Sequence, residues 1–219
     1  RTHTHQEIGM RIRTVLFGGL GALGGLALAT GWPTRQGLTR SQAAVSLPGD
    51  LLLPTAPIIA DRALTIHAPA DAVWPWLTQI GQDRAGFYSW TRLENAIGCE
   101  VSDVHELSPQ WSTREVGDEV SLAPGRVLRV AVSSPGHALV LTSQGGSVPE
   151  EAADSATMQF DFTWAFVLID EGDSCVLHVR ERYLPHTRAA DVSCRATLAA
   201  SAVMTQRMLH TLKSLAEAR

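Results

Sequence analysis

The sequence lacks the groups that usually announce catalysis. Its three cysteines, Cys99, Cys175 and Cys194, lie far apart and form no CxxC pair, no zinc spacing and no disulfide framework. Eight histidines are present without metal-ligand spacing, and His105-Glu106 has no second histidine four residues beyond the first. There is no HExxH, no GxSxG and no P-loop, and no serine, cysteine or threonine has a nucleophile's context. A net charge of −4 offers no electrostatic footprint for nucleic acid. No metal and no cofactor is expected, and any catalysis is left to acid–base chemistry.

What is present falls into two parts. Thr14 to Trp32 is an uncharged run, preceded by Arg11 and Arg13 and followed by Pro33 and Arg35. As a helix it just spans a bilayer core of ~30 Å. It reads as a transmembrane signal anchor, with residues 1–13 as an N-terminal tail. A cleavable signal sequence using Ala27-Leu28-Ala29 is the alternative, although the run is long for one. The first reading places a single-pass membrane protein with its domain outside the cytoplasm; the second, a secreted protein. The chain opens on Arg1 without a methionine, which leaves room for residues before it. Gly19 to Gly24 spells GxGxxG, but no strand precedes it, so it is no dinucleotide fingerprint.

Residues 33–57 read as a linker, rich in Pro, Gly, Ser and Thr without periodicity. The rest, 58–219, reads as one domain with enough apolar residues for a core. A strand over 63–67 precedes a helix over 68–81, in which Pro75 is out of place. A short helix near 91–97 and strands near 119–122, 127–132 and 138–142 follow. Two long strands, 157–169 and 174–184, lead into a helix over 189–218. That helix carries Leu198, Ala202, Thr205, Leu209, Leu212 and Ala216 on one face, flanked by Met204 and Met208. Strands and helices are segregated, so the class is α+β.

The long strands raise a question of faces. A two-residue turn at Glu171-Gly172 would pair Phe162 with Glu181, Trp164 with Val179, Phe160 with Tyr183, and Asp161 with Arg182. One face is then apolar and aromatic except for Glu181, while His178, Arg180 and Arg182 point outward. An inward carboxylate needs a donor or a wet cavity. Arg84, Tyr88 and Trp90 are the donors expected for it. One helix ~10 Å wide does not fill the whole inner face of a sheet, so a cavity is expected beneath it.

Ala68 to Trp90, "APADAVWPWLTQIGQDRAGFYSW", and Val116 to Gly125, "VGDEVSLAPG", resemble the START-like, helix-grip (SRPBCC) superfamily, in particular its polyketide cyclase/dehydrase-like branch. The resemblance covers roughly residues 48 to 215. It implies a curved antiparallel sheet wrapped around a long C-terminal helix, with a hydrophobic cavity between them. Members of that superfamily include carriers, binders and cyclases, so the resemblance implies a pocket without fixing a reaction.

The ligand-binding residues expected are Arg84, Phe87, Tyr88 and Trp90 from the loop; Phe160, Phe162 and Trp164 from one strand; Val179, Glu181 and Tyr183 from the next; and Met204 and Met208 from the helix. Glu181 and Tyr88 are the catalytic candidates. Three functions stay open: a membrane-tethered domain binding a hydrophobic small molecule or lipid, a polyketide cyclase/dehydratase-like enzyme, and an interaction module with a filled core.

Overall fold

The computed structural model describes residues 31–96, 98–102, 104–144 and 159–218. The tail 1–13 and the apolar run up to residue 30 lie outside them, as do residues 145–158. Among the described residues no helix is long and apolar enough to cross a membrane.

The elements are β1 (Arg35–Gln36), α1 (Arg40–Ala43), β2 (Ile58–Ile66), α2 (Ala70–Leu77), α3 (Thr91–Ala96), β3 (Glu119–Ala123), β4 (Arg126–Ser134), β5 (Ala138–Thr142), β6 (Phe160–Asp170), β7 (Cys175–Pro185) and α4 (Arg188–Glu217). They build a single sheet in the order β1-β2-β7-β6-β5-β4-β3. Every neighbouring pair is antiparallel except β1 with β2. With its 30-residue C-terminal helix this α+β arrangement has the layout of a helix-grip fold. The stripe expected on that helix is the buried one: Leu198, Ala202, Thr205, Leu209, Leu212 and Ala216 are all buried. Thr187 caps its start by accepting the Ala190 N–H.

The β6–β7 register differs from the expected one by two residues. Asp170 pairs with Cys175, so the loop is Glu171–Ser174. The Asp170 carboxylate accepts the Gly172 N–H, and the Glu171 N–H donates to the Ser174 carbonyl. These bonds hold a longer loop than Glu171-Gly172 alone would make. Trp164 therefore opposes Glu181, Phe162 opposes Tyr183, and Asp161 opposes Leu184 rather than Arg182. A shift of two preserves the side of every residue, because the side-chain period is two. Glu181 stays on the inner face.

The segment expected to be a linker is part of the fold. Residues 35–36 extend the sheet at β2. Thr39 and Gln42 form a capping box that starts α1. The chain then crosses the face of the sheet opposite α4. There Leu47 packs with Ala138, Val140, Ala165 and Val167. Gly49 has φ 93°, and a Cβ at this position would lie 2.6 Å from Val140 Cγ1, so both conformation and space call for glycine.

This covering also corrects the picture of outward arginines. Arg180 and Arg182 do lie on the outer face, but both are buried. Arg180 donates to Asp61 Oδ1 (2.7 Å), Asp50 Oδ2 (2.6 Å) and the carbonyls of Ala43 and Val45. Arg182 reaches Asp50 Oδ1 (3.1 Å) and the carbonyls of Leu53 and Pro54. His178 Nε2 lies 2.7 Å from Asp61 Oδ1. The N-terminal segment is thus clasped by a buried network of opposite charges.

Candidate functional site

On the inner face α4 packs chiefly on β2, β7 and α2. The part of the sheet beyond β7 is closed by the segment after α2, including the turn at Phe87 and Ser89. Between these pieces lies a cavity of about 180 Å³. Its lining comes from β6 and β7 (Phe162, Trp164, Glu181), from α4 (Ser201, Met204, Thr205, Met208), from the loop and α3 (Phe87, Ser89, Glu94, Cys99) and from Leu122 of β3. Ser89 donates to the Met204 carbonyl at 3.0 Å, which ties loop to helix.

Glu181 is one of the residues lining this cavity and is well supplied with partners. Arg62 Nη1 lies 2.8 Å from its Oε1, with the arginine side chain wholly buried. Ser201 Oγ is 2.6 and 2.7 Å from the two carboxylate oxygens, Thr205 Oγ1 is 3.2 Å from Oε1, and the Tyr183 phenol donates to Oε2 at 2.9 Å. None of the donors expected from sequence, Arg84, Tyr88 or Trp90, takes part. Arg62 follows from alternation along β2: Ile58, Ala60, Arg62, Leu64 and Ile66 share the face of Glu181. A strand begun at residue 63 leaves that arginine out. Ser201 and Thr205 are one helical turn apart on α4, so both reach the same carboxylate.

The other expected residues divide. Phe87, Phe162, Trp164, Met204 and Met208 line the cavity beside Glu181. Arg84 does not; its guanidinium donates to the carbonyls of Thr78 (2.8 Å), Thr113 (3.0 Å) and Trp111 (3.4 Å). Together with buried Arg114, which donates to Thr78 and Ile80, it satisfies carbonyls at the C-terminal end of α2. Burial, then the like charge of Arg84, pulls the Arg114 guanidinium down to about 10. Trp90 is exposed, with the Arg207 guanidinium 5.2 Å from its ring centroid. Phe160 packs on Tyr183 and Val179 is wholly buried, and neither borders the cavity. The lining also includes Glu94 of α3, Leu122 of β3, Cys99 and Ser89, with Ser201 and Thr205 of α4.

Tyr88 is buried under the loop rather than in the cavity. Its hydroxyl donates to the Trp76 carbonyl (3.2 Å) and accepts from Gln79 Nε2 (3.3 Å). Its φ of 55° is unusual for a bulky residue and turns neighbouring Phe87 and Ser89 toward the cavity wall. Burial pushes its phenol up to about 12, with the Gln79 hydrogen bond pulling slightly the other way. Tyr183 is raised as well, first by burial and then by the charge of Glu181. These are the chain's two tyrosines. The folded protein should therefore show little phenolate absorbance at about pH 11, roughly a tenth of Tyr88, whereas the unfolded chain should be roughly nine-tenths ionised. The unfolded state loses these protons first, so stability should fall as pH rises above the ordinary phenol value of 10. Phenolate absorbance appearing near pH 10 without unfolding would contradict the buried placement.

No protein-family model and no curated protein matches this chain. Several solved structures resemble it. Norcoclaurine synthase from Thalictrum flavum, solved with dopamine and hydroxybenzaldehyde, is 15% identical over 78% of this chain and 93% of that one, with a TM-score of 0.40. MLL2253 from Mesorhizobium loti is 15% identical, covering 72% of this chain and 95% of that one, at 0.39. DynU16, a protein in the dynemicin biosynthetic locus, is 17% identical over 71% of this chain and 47% of that one, at 0.40. At such scores these likenesses carry no argument about what this chain binds or does.

Proposed function

We propose that this chain is a binding domain that holds a small, mainly apolar molecule between the β6–β7 strands and α4. The observation that carries the reading is a cavity walled by Phe87, Phe162, Trp164, Met204 and Met208, with the Glu181 carboxylate on its wall already engaged by Arg62, Tyr183, Ser201 and Thr205. A volume of about 180 Å³ suits one ring or a short chain and is small beside the usual range of ~300–1,000 Å³. A full-length lipid acyl chain does not fit inside it.

The acid–base enzyme is the weaker alternative. A general base needs a lone pair facing its substrate. The carboxylate of Glu181 is instead shared among Arg62, Ser201, Thr205 and Tyr183. An interaction module with a filled core is disfavoured by the cavity itself. Membrane tethering through the apolar run 14–32 belongs to the same proposal, with the domain outside the cytoplasm or, after cleavage, secreted. It is supported by the run's length and by the short distance to β1 at residue 35, which leaves no long spacer.

The test is calorimetric titration with indole, a single-ring apolar probe. Binding is expected at about 10 µM to 1 mM, given the small number of atoms. Met204→Trp fills the cavity and should weaken binding at least ~10-fold while the unfolding midpoint is kept. No binding to the parent, or equal binding to both proteins, overturns the proposal.

A further inference from the structure

A hydroxyl brings one proton and two lone pairs, so the partner that takes the proton decides what is left for a ligand. Among the described residues, three hydroxyl side chains line the cavity: Ser89, Ser201 and Thr205. Ser89 donates to the Met204 carbonyl at 3.0 Å. Ser201 donates to the Glu181 carboxylate, 2.6 Å from Oε1 and 2.7 Å from Oε2. Thr205 donates to Oε1 at 3.2 Å. All three protons are committed, and lone pairs are what these oxygens have left to offer.

The relative strengths of the bonds keep this arrangement in place. A hydrogen bond to a carboxylate is roughly twice as strong as one between neutral groups. Ser201 and Thr205 would therefore lose by turning from Glu181 to a neutral acceptor on a ligand. Among the described residues no other lining side chain supplies a strong donor. Arg62 is wholly buried at Glu181, and its charge cancels that of the carboxylate. The Trp164 indole nitrogen and both Glu94 carboxyl oxygens are buried, with almost no surface open to the cavity. The Cys99 thiol is only a weak donor. The wall is thus rich in acceptors and poor in donors, with no net charge at the Glu181 pair.

We propose that the cavity selects a neutral ligand that donates a hydrogen bond, such as an alcohol, a phenol or a neutral N–H compound, over one of the same shape that only accepts. The donor lies against Ser201 and Thr205, and the apolar remainder against Phe162, Trp164 and Met208. A ligand carbonyl in the same place would give up its hydrogen bonds to water and gain none. The inference rests on the binding reading above and narrows its ligand class.

Cumene, 1-phenylethanol and acetophenone share one outline and differ in a single group: methyl, hydroxyl or carbonyl. Each is titrated by calorimetry into the full chain. Cumene reports the cavity alone, and 1-phenylethanol should bind at least ~10-fold tighter than acetophenone. Ser201→Ala should lower that preference by about 5-fold, and Thr205→Val, which keeps the side-chain shape, by ~3-fold. The alcohol-to-ketone ratio is read within each protein, so a change of cavity shape common to both probes cancels. Equal binding of alcohol and ketone, tighter binding of the ketone, or a ratio that neither substitution moves overturns selection by these hydroxyls. Binding of cumene in that case leaves the cavity as a binding site. No binding by any of the three overturns both readings.

Discussion

Replacing Arg62 with leucine should destabilise the protein by about 3–5 kcal/mol, because it strands the Glu181 carboxylate inside the fold. Three hydroxyls would remain on that carboxylate, from Tyr183, Ser201 and Thr205, but none carries compensating charge. Replacing both partners, Arg62→Leu with Glu181→Leu, should bring stability back to within ~1 kcal/mol of the parent, since two well-packed apolar side chains avoid the desolvation of both ions. Urea unfolding of the four proteins, parent, two singles and double, closes the cycle. A cost below ~1 kcal/mol for Arg62→Leu alone would mean that the carboxylate is hydrated or otherwise neutralised, and the assigned pair would be wrong. Such a loss is a large share of the ~5–15 kcal/mol that holds a domain together, so the effect is readily measured.

A chain that begins at residue 58 should fail to fold cooperatively. Cutting there removes β1, α1 and the strap that follows, and it bares the apolar outer-face residues Ala138, Val140, Ala165 and Val167. It also takes Asp50 and four carbonyl acceptors away from Arg180 and Arg182. Arg182 then loses its contacts to Asp50, Leu53 and Pro54, and of the Arg180 contacts the one to Asp61 stays, so the charge network that anchors this face is largely dismantled. The milder variant Asp50→Ala leaves the strap in place and should cost about 3 kcal/mol, because one carboxylate holds both arginines. Circular dichroism and urea unfolding check both. If the shortened chain unfolds with the parent's midpoint and slope, residues 33–57 are a dispensable linker after all.

These two results divide along the line between periodic and irregular sequence. Alternation along β6 and β7 is enough to place Glu181 inside among aromatic residues, and that placement survives a register error of two residues, since parity alone decides the face. Helical spacing marks the buried stripe of α4. The partner of Glu181 was within reach of the same reasoning: Arg62 continues the alternation Ile58, Ala60, Arg62, Leu64, Ile66, and only a late strand start concealed it.

Irregular segments give no such purchase. Residues 33–57 have the composition of a linker, and nothing local marks them as the cover of a sheet face. Their role depends on two arginines more than 120 positions away in the chain. Likewise Arg84 and Tyr88 sit in the motif's loop, where proximity in sequence suggested a ligand contact, yet the Arg84 side chain caps backbone carbonyls and Tyr88 lies beneath the turn.

Period and composition by themselves thus determined an α+β chain with a long terminal helix, an aromatic inner face and one acid on it. Tertiary structure alone decided which cation neutralises that acid, that the apparent linker closes the opposite face, and how little space is left beside the helix. The physical reason is range. Side-chain direction is set by neighbours one to four residues away, whereas burial of charge and the shape of a void are set by groups that meet only when the chain has folded.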